Sequence, residues 1–285
     1  MYKLTIQNSD LLELNFNELN GSYNITNIQG LSPAEATINT SQAALLDGAF
    51  FNSSKVNMRT INLAFTIEGR VEYNRLFVYQ VLKVKEPVTI YYKSNNLDVF
   101  IKGYVKSITV GHFDAKQKAT VQILCPNPYW KAAQEVIDEL SVYKNMFYFP
   151  FASVAEGEII FGEIDTEAEA VVINASGIET GLKFELFAKS PIANPKIFNY
   201  LTGEFIGLNF SMQAGDYITI NTGRGEKSIT LFRNGQTINI FNAIMENSTW
   251  LMLPSAGAVF VYTVESGALG NLEITISHYD LYEGV

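Results

Sequence analysis

The clearest pattern along the chain is a strict alternation of apolar and polar residues between Ile61 and Ile67. A period of two is typical of a β-strand with one face buried. The apolar positions are Ile61, Leu63, Phe65 and Ile67. We therefore predict a strand here, with Leu63 and Phe65 pointing into a core.

The apolar period changes directly after this strand. Apolar residues now recur at helical spacing, with Arg75 and Lys83 on the opposite side. These residues are Tyr73, Leu76, Phe77, Val81 and Val84. Glu86-Pro87 then ends the pattern, because the residue before a proline disfavours the helical conformation. We predict one packed helix over about residues 71–84.

Turn signals and further alternating segments surround this helix. Tyr23–Ile28 alternates and stops at Gly30, and Asp47-Gly48 favours the positive φ of a hairpin turn. Strands are predicted again between Val88 and Leu124. The N-terminal domain, residues 1–130, is thus predicted as a compact β structure with one helix.

The segment from Ile123 to Trp130 indicates a boundary. Its two prolines, Pro126 and Pro128, each remove a donor from a strand ladder. Apolar residues from Ala133 to Leu140 then fit a helix over Lys131–Leu140. The aromatic run Met146–Phe151 follows, and we expect it to be packed rather than solvated. We therefore predict a helical and aromatic connector over residues 131–152.

The remainder, residues 153–285, predicts a C-terminal β-sandwich. Short strands recur at even spacing between Glu158 and His278, separated by turn signals such as Asn234-Gly235. The predicted fold class is therefore mainly β, with two domains and a short helical connector.

Composition narrows the function classes. The chain has 285 residues, 47% of them hydrophobic, and a net charge of −9. Nucleic-acid binding requires a basic stripe, and the basic residues here are scattered singly. An acidic wall past which nucleic acid slides stays compatible with this charge. The N-terminus lacks the apolar run of a signal peptide, and no apolar stretch approaches the ~20 residues of a membrane span.

Metal or nucleophilic chemistry has few candidates. Cys125 is the single cysteine, which excludes a disulfide within the chain and fits assembly in a reducing cytoplasm. His112 and His278 are the histidines, and they fall in different predicted domains. Because no short ligand pair exists among these residues, we predict no metal or catalytic site.

Two further motifs have a structural interpretation beside a functional one. Gly223-Arg224-Gly225 invites a phosphate-loop interpretation, but no Lys-Ser/Thr and no helix follow, so a hairpin turn is favoured. Trp250 has the ring to stack on a sugar, yet its apolar neighbours favour a core position.

Acidic residues cluster at the start of the second domain. They are Glu156, Glu158, Glu163, Asp165, Glu167 and Glu169. Alternation along strands spreads these carboxylates over a face, which favours a solvated, protected sheet edge over a calcium site. A general acid/base pair among them stays open, although nothing selects one.

Taken in order along the chain, several segments resemble the distal tail proteins (Dit) of long-tailed bacteriophages. They are Tyr23–Leu31, Asp47–Phe50, Arg59–Ile61, Ile101–Val105, Cys125–Tyr129, Phe147–Pro150, Asn194–Ile197, Gly215–Thr222, Gly225–Ile229 and Tyr282–Val285. Each fragment is weak alone, and their ordered sum is specific.

The resemblance implies a structural protein without catalysis, cofactor or metal. Members of that family form homohexameric rings through the N-terminal domain, between the tube's major tail protein and the hub or lysin protein. DNA passes through the lumen. The C-terminal domain is a galectin-like or carbohydrate-module-like sandwich that in some phages anchors receptor-binding proteins. The implied location is the virion tail tip, assembled in the cytoplasm of the bacterial host.

Two rival hypotheses belong to other classes. The sandwich itself would bind host-wall carbohydrate if an aromatic platform lay exposed on it. A glycosidase would need two carboxylates facing each other across a cleft, roughly 5–10 Å apart.

Overall fold

The structure is a computed structural model that describes residues 2–19, 21–42, 44, 47–113, 116–140, 143–145, 162–164 and 169–285. The chain divides into two compact units. The first unit is Met1–Ala133 together with Leu281–Val285, and the second is Gln134–Asp280. The aromatic run predicted to be packed, Met146–Phe151, lies outside the described residues.

The first unit is built from antiparallel strands and one described helix. Its elements are β1 (Lys3–Asn8), β2 (Glu13–Phe16), β3 (Tyr23–Gln29), β4 (Ala36–Ser41), β5 (Phe50–Val56), β6 (Arg59–Ile67), α1 (Val71–Val81), β7 (Pro87–Lys93), β8 (Asp98–Val110), β9 (Gln117–Cys125), β10 (Trp130–Ala132) and β27 (Leu281–Tyr282). Apart from β4 and β5, the described strands join one sheet in the order β2-β1-β7-β8-β9-β6-β3, with β10 bridging β8 and β27.

The two ends of this sheet approach each other at Asn17. The Asn17 amide donates to the carbonyl oxygen of Tyr23 at 3.0 Å. The Ile25 amide donates to Oδ1 of Asn17 at 2.8 Å. One asparagine after β2 therefore satisfies backbone groups at the start of the edge strand β3, and the sheet curls towards a barrel.

The predicted strand over residues 61–67 is confirmed and extends back to Arg59. Residues alternate between buried and half-buried along all of β6, and Leu63 and Phe65 are fully buried as predicted. The Phe65 ring meets Phe16 edge-on, with 5.1 Å between ring centroids. This strand therefore carries the centre of the first core.

The predicted helix exists, and its predicted packed face is only partly buried. α1 ends at Val81, and Val78, Val81 and the following Leu82 are buried. Tyr73 and Leu76, which we predicted on the packed face, are 67% and 52% exposed. The predicted packed face was therefore right at Val81 and Phe77 and wrong at Tyr73 and Leu76. The helix is apolar on more than one side, and spacing alone does not show which side meets the sheet.

The predicted helix over Lys131–Leu140 is wrong. Lys131 and Ala132 belong to β10, and Val136–Leu140 forms β11, paired with β26 of the second unit. So short a helix is marginal by itself, and pairing with a neighbouring strand overrides the helical spacing. Leu281–Val285, assigned to the C-terminal domain from sequence, instead returns to the first unit through the pairing of Trp130 with Tyr282.

The second unit consists of short antiparallel strands. They are β11 (Val136–Leu140), β12 (Tyr143–Asn145), β13 (Gly162–Ile164), β14 (Glu169–Val172), β15 (Thr180–Gly181), β16 (Lys183–Ala188), β17 (Ile192–Ala193), β18 (Lys196–Asn199), β19 (Phe205–Gly207), β20 (Ser211–Met212), β21 (Tyr217–Asn221), β22 (Ser228–Arg233), β23 (Gln236–Asn239), β24 (Met252–Leu253), β25 (Ala258–Thr263) and β26 (Leu272–His278). Two 3-10 turns, Phe241–Ala243 and Leu269–Asn271, complete the described elements.

Two larger sheets of this unit share one core. The described strands order as β11-β26-β16-β21-β22-β23 in one sheet and β14-β25-β18-β19 in the other. Phe184 of the first sheet meets Phe260 of the second edge-on at 5.7 Å. Contact between the inner faces of two sheets is the arrangement of a β-sandwich. The mainly β fold predicted from the sequence is confirmed, and no described helix is long and apolar enough to span a membrane.

Candidate functional site

The first unit presents a β-hairpin, β4 with β5, that is solvent-exposed along nearly its whole length. β5 is exposed at every position, and β4 at all but one. The hairpin nevertheless carries apolar side chains: Ile38, Phe50 and Phe51 are 63%, 57% and 67% exposed. We call β4 and β5 the exposed hairpin.

The exposed hairpin is held together mainly by its own two strands. Among the described residues β4 and β5 pair only with each other, and Asn39 Nδ2 donates to Ser53 Oγ at 2.9 Å. A two-stranded hairpin is marginally stable by itself in water. Exposed apolar side chains on such an element are typical of a surface that another molecule covers.

A signal for this element is present in the sequence. Successive residues of a strand point to opposite faces, so the adjacent Phe50 and Phe51 cannot both enter one core. Our sequence analysis predicted the hairpin turn at Asp47-Gly48 and missed this consequence. Gly48 does have a positive φ, of 90°.

The exposed side of α1 is a second apolar surface on the same unit. Tyr73, Leu76 and Tyr79 follow one another at intervals of three residues and are 67%, 52% and 36% exposed. Residues three apart are neighbours on a helix surface, so these side chains form a stripe. We call this stripe the outer face of α1.

Arg59 fixes the end of the chain within the first unit. Its side chain is buried and donates to the carbonyl oxygens of Gly30 and Ser32 at 2.5 Å and of Pro128 at 2.7 Å. It also donates to the carbonyl oxygen of Glu283. Burial lowers the pKa of Arg59. One guanidinium therefore connects β6 to three segments that are distant in sequence, around residues 30–32, 128 and 283.

The three residues considered for metal or nucleophilic chemistry do not form such a site. His112 is exposed in the first unit, where its Nδ1 lies 3.0 Å from Nη1 of Arg75. His278 is buried in the second unit. Burial raises the pKa of the Cys125 thiol to about 12, which disfavours the reactive thiolate. No group of three potential ligands is arranged to hold a metal ion among the described residues.

Gly223-Arg224-Gly225 lies in the connection between β21 and β22, as the hairpin interpretation predicted. These strands pair from Tyr217 with Phe232 to Asn221 with Ser228. The Arg224 guanidinium lies 2.6 Å from a carboxylate oxygen of Glu179 on an exposed part of the surface. The segment is therefore a hairpin connection and not a strand-to-helix phosphate loop.

Trp250 is half-buried against the core of the second unit. Its ring stacks on Phe241 with 5.5 Å between centroids, and the Lys227 ammonium lies 5.1 Å from the ring centroid. The indole therefore already has an aromatic and a cationic neighbour, which favours the structural interpretation over a free sugar platform.

The acidic cluster is only partly described. Glu169 is exposed at the start of β14, and the backbone of Glu163 belongs to β13. Glu156, Glu158, Asp165 and Glu167 lie outside the described residues. The predicted solvated edge therefore stays a prediction.

Comparison with known proteins gives matches to phage tail and baseplate proteins. Residues 9–125 match the family described as phage tail protein RIFT-related domain. Dit (gp 19.1) of phage SPP1, described as a paradigm of the hub adsorption apparatus in phages that infect Gram-positive bacteria, has a similar fold, with a TM-score of 0.69 and 13% identity. That match covers 98% of this chain and 99% of the SPP1 chain.

Baseplate structures of phage p2 are also similar. The activated baseplate with Ca contains a chain with a TM-score of 0.61 and 13% identity, covering all of both chains. A chain of the corresponding structure with Sr has a TM-score of 0.56 and 12% identity, and the match covers 97% of this chain and 98% of the p2 chain. No curated protein matches the sequence. Residues 9–125 therefore match the phage tail protein RIFT-related domain, and the chain as a whole has the fold of Dit from phage SPP1.

Proposed function

We propose that this protein is a structural component of a phage tail tip that assembles as a homohexameric ring through its first unit. The observation that carries the proposal is the exposed hairpin, whose apolar side chains have no core of their own to enter. A second copy supplies the surface that covers them. The sixfold number comes from the resemblance to distal tail proteins.

The geometry of the first unit supports assembly through heterologous contacts. A ring requires two different surfaces on each subunit, one meeting its complement on the next subunit. The exposed hairpin and the outer face of α1 are two different apolar surfaces on one unit. The Tyr23–Ile25 end of edge strand β3 is already occupied by Asn17, so side-chain contacts carry more of the interface than strand pairing at that end.

The proposed role is to join the tail tube to the tail-tip hub. The ring places the major tail protein on one side and the hub or lysin protein on the other, with DNA passing through the lumen during ejection. The net charge of −9 suits a channel to which DNA does not adhere. The role is structural and not catalytic, and the protein is a virion component made in the bacterial cytoplasm.

Negative-stain electron microscopy of the purified full-length chain tests the ring directly. We expect sixfold ring particles with a central opening. Mixing these particles with separately purified major tail protein should produce tubes that carry one ring at an end. Isolated monomers at high concentration, unchanged by the tube protein, would contradict the proposal. Turnover of purified host cell wall by the full-length chain would contradict the structural role.

A further inference from the structure

The second unit carries an apolar surface on the outside of its four-stranded sheet. The pairing of Val261 with Phe198 and of Phe198 with Phe205 places three apolar side chains in one row across β25, β18 and β19. The exposed Glu169 of β14, which pairs with Val261, ends this row. Val171 and Val259 pair in the next row. Directly paired side chains on one sheet face lie about 5 Å apart and touch. We call these five apolar residues the apolar sheet face.

The margin of this surface is also apolar and strongly exposed. Val171 is 62% exposed, and Ile173 and Tyr200 beside the two rows are 71% and 69% exposed. The Phe198 and Phe205 rings lie 5.5 Å apart. The other four residues of the face are half-buried, so its exposed apolar area lies mainly at Val171, Ile173 and Tyr200. A group of exposed apolar residues is typical of an interaction site, whereas single exposed apolar residues are not.

The other sheet of the same sandwich shows that the fold does not require an apolar exterior. The central row on its outer side is polar, and its members pair in register from β26 to β22. They are Thr275, Glu185, Thr219 and Thr230. A sandwich sheet normally exposes such polar residues to water. We therefore expect another molecule, here called the occupant, to bind the apolar sheet face.

The occupant lies on the face and does not extend the sheet at β19. The open side of β19 already accepts two backbone hydrogen bonds. The Met245 amide donates to the carbonyl oxygen of Gly207 at 2.8 Å, and the Thr249 amide donates to the carbonyl oxygen of Phe205 at 2.7 Å. An element lying across a sheet face gains no backbone partners from that sheet. An α-helix satisfies its own backbone groups, and an isolated strand does not.

The area of the face indicates a small occupant. Four strands about 4.8 Å apart, with two rows of side chains, give a patch of a few hundred Å². A stable complex of two folded proteins buries about 800 Å² on each. The apolar sheet face is therefore too small to dimerise two copies by itself. A single helix about 10 Å wide fits the patch.

Lys196 indicates the charge of the occupant. Its ammonium lies 5.7 Å from the Phe205 ring centroid at the edge of the face. No carboxylate in the described part of the chain forms an ion pair with it. A carboxylate on the occupant, placed beside its apolar stripe, would pair with this ammonium in a partly dehydrated position.

We propose that the apolar sheet face binds one amphipathic α-helix of a different protein, with an apolar stripe of about three turns and an acidic residue at the stripe's edge facing Lys196. The proposal rests on the proposed function only in placing that helix on another tail-tip component. The recognition itself depends on the second unit alone.

The test uses the full-length protein and two fluorescent peptides of about 14 residues, each held helical by a side-chain bridge. Both peptides carry one leucine stripe, flanked by glutamates in one and by lysines in the other. Fluorescence anisotropy measures binding to the wild-type chain and to Val171→Asp. Thr230→Asp is the matched control, because it places the same charge on the outer side of the other sheet. Both variants should melt at the wild-type temperature.

We expect saturable binding of the glutamate peptide, weakened about tenfold by Val171→Asp and unchanged by Thr230→Asp. Lys196→Glu should weaken the binding of the glutamate peptide and strengthen the binding of the lysine peptide. Absence of saturable binding, or equal effects of the two aspartate variants, would overturn the proposal. A lower assembly mass for Val171→Asp would also overturn it, by making the face a contact between copies. Peptide binding by a chain that forms no ring would contradict the proposed function alone.

Discussion

Nε of Arg59 donates a 2.7 Å hydrogen bond to the carbonyl oxygen of Pro128, the second proline of the boundary segment. The same guanidinium also holds Gly30, Ser32 and Glu283 through their carbonyl oxygens. Carbonyl groups from separate segments thus converge on one buried cation. At Gly30 a side chain has no room, because a Cβ would lie 2.2 Å from the Thr60 carbonyl oxygen.

Replacing Arg59 with alanine should therefore destabilise the first unit strongly. The change removes the donor from four carbonyl groups, of which those of Gly30 and Pro128 belong to half-buried residues. We expect a loss on the order of 2–4 kcal/mol in the free energy of unfolding. Chemical denaturation followed by circular dichroism measures this. Arg75→Ala is the control, because in the described part of the chain the Arg75 side chain bonds only to His112 and Gln117. Equal midpoints for the two variants would show that the Arg59 contacts contribute little.

Phe65→Ala should cost about 3–5 kcal/mol, because it opens a cavity beside Phe16 in the first core. Thr66→Ala, one position along on the half-buried side of β6, should change the free energy of unfolding by less than about 1 kcal/mol. Thermal melting of both variants checks this. An unchanged melting temperature for Phe65→Ala would mean that the strand's faces are assigned wrongly.

The second unit should lose stability as the pH falls below about 6.5. His278 is fully buried, and neither ring nitrogen has a hydrogen-bond partner among the described residues. Burial lowers the pKa of His278, while the nearby carboxylates of Asp280, Asp138 and Glu135 oppose this shift. The unfolded chain therefore binds a proton at His278 more readily than the folded chain does. This contribution to stability is fully present above the unfolded pKa and is lost as the pH falls from there through the lower folded pKa.

Denaturation curves at pH 5.5 and 7.5 measure this effect. His278→Phe should reduce the pH dependence in that interval, and the exposed His112→Gln should leave it unchanged. An identical pH dependence in wild type and His278→Phe would show that other groups account for it.

Cys125 should be unreactive in the folded protein. Its side chain is buried, and burial raises its pKa to about 12, so thiolate is scarce at neutral pH. A chromogenic disulfide reagent should titrate this thiol only after denaturant is added. Rapid reaction without denaturant would mean that the first core opens near β9.

The sequence pattern predicted an element correctly where the pattern itself reflects which side of that element is buried. The alternation in β6 identified both the strand and its buried side, because one face meets a core and the other does not. Val136–Leu140 was mistaken for a helix, since its pairing with β26 depends on residues more than a hundred positions away. Arg59 gave no signal for the same reason: its partners are carbonyl groups, which the sequence does not distinguish. Tyr73 and Leu76 were predicted to be buried and lie on the outer face of α1 instead, because an apolar residue has the same spacing in a core and at an interface.

The most direct test of ring assembly is the solution mass of the full-length chain, measured by light scattering over a concentration series. We predict a species with six times the 31.8 kDa of the monomer. Ile38→Asp in the exposed hairpin should shift it to monomer, because a charge is then buried in the contact. Ile137→Asp, at a matched 62% exposure in the second unit against 63% for Ile38, should keep the sixfold mass. A wild-type chain that stays monomeric at every concentration, or a sixfold mass that survives Ile38→Asp, would contradict assembly through the exposed hairpin.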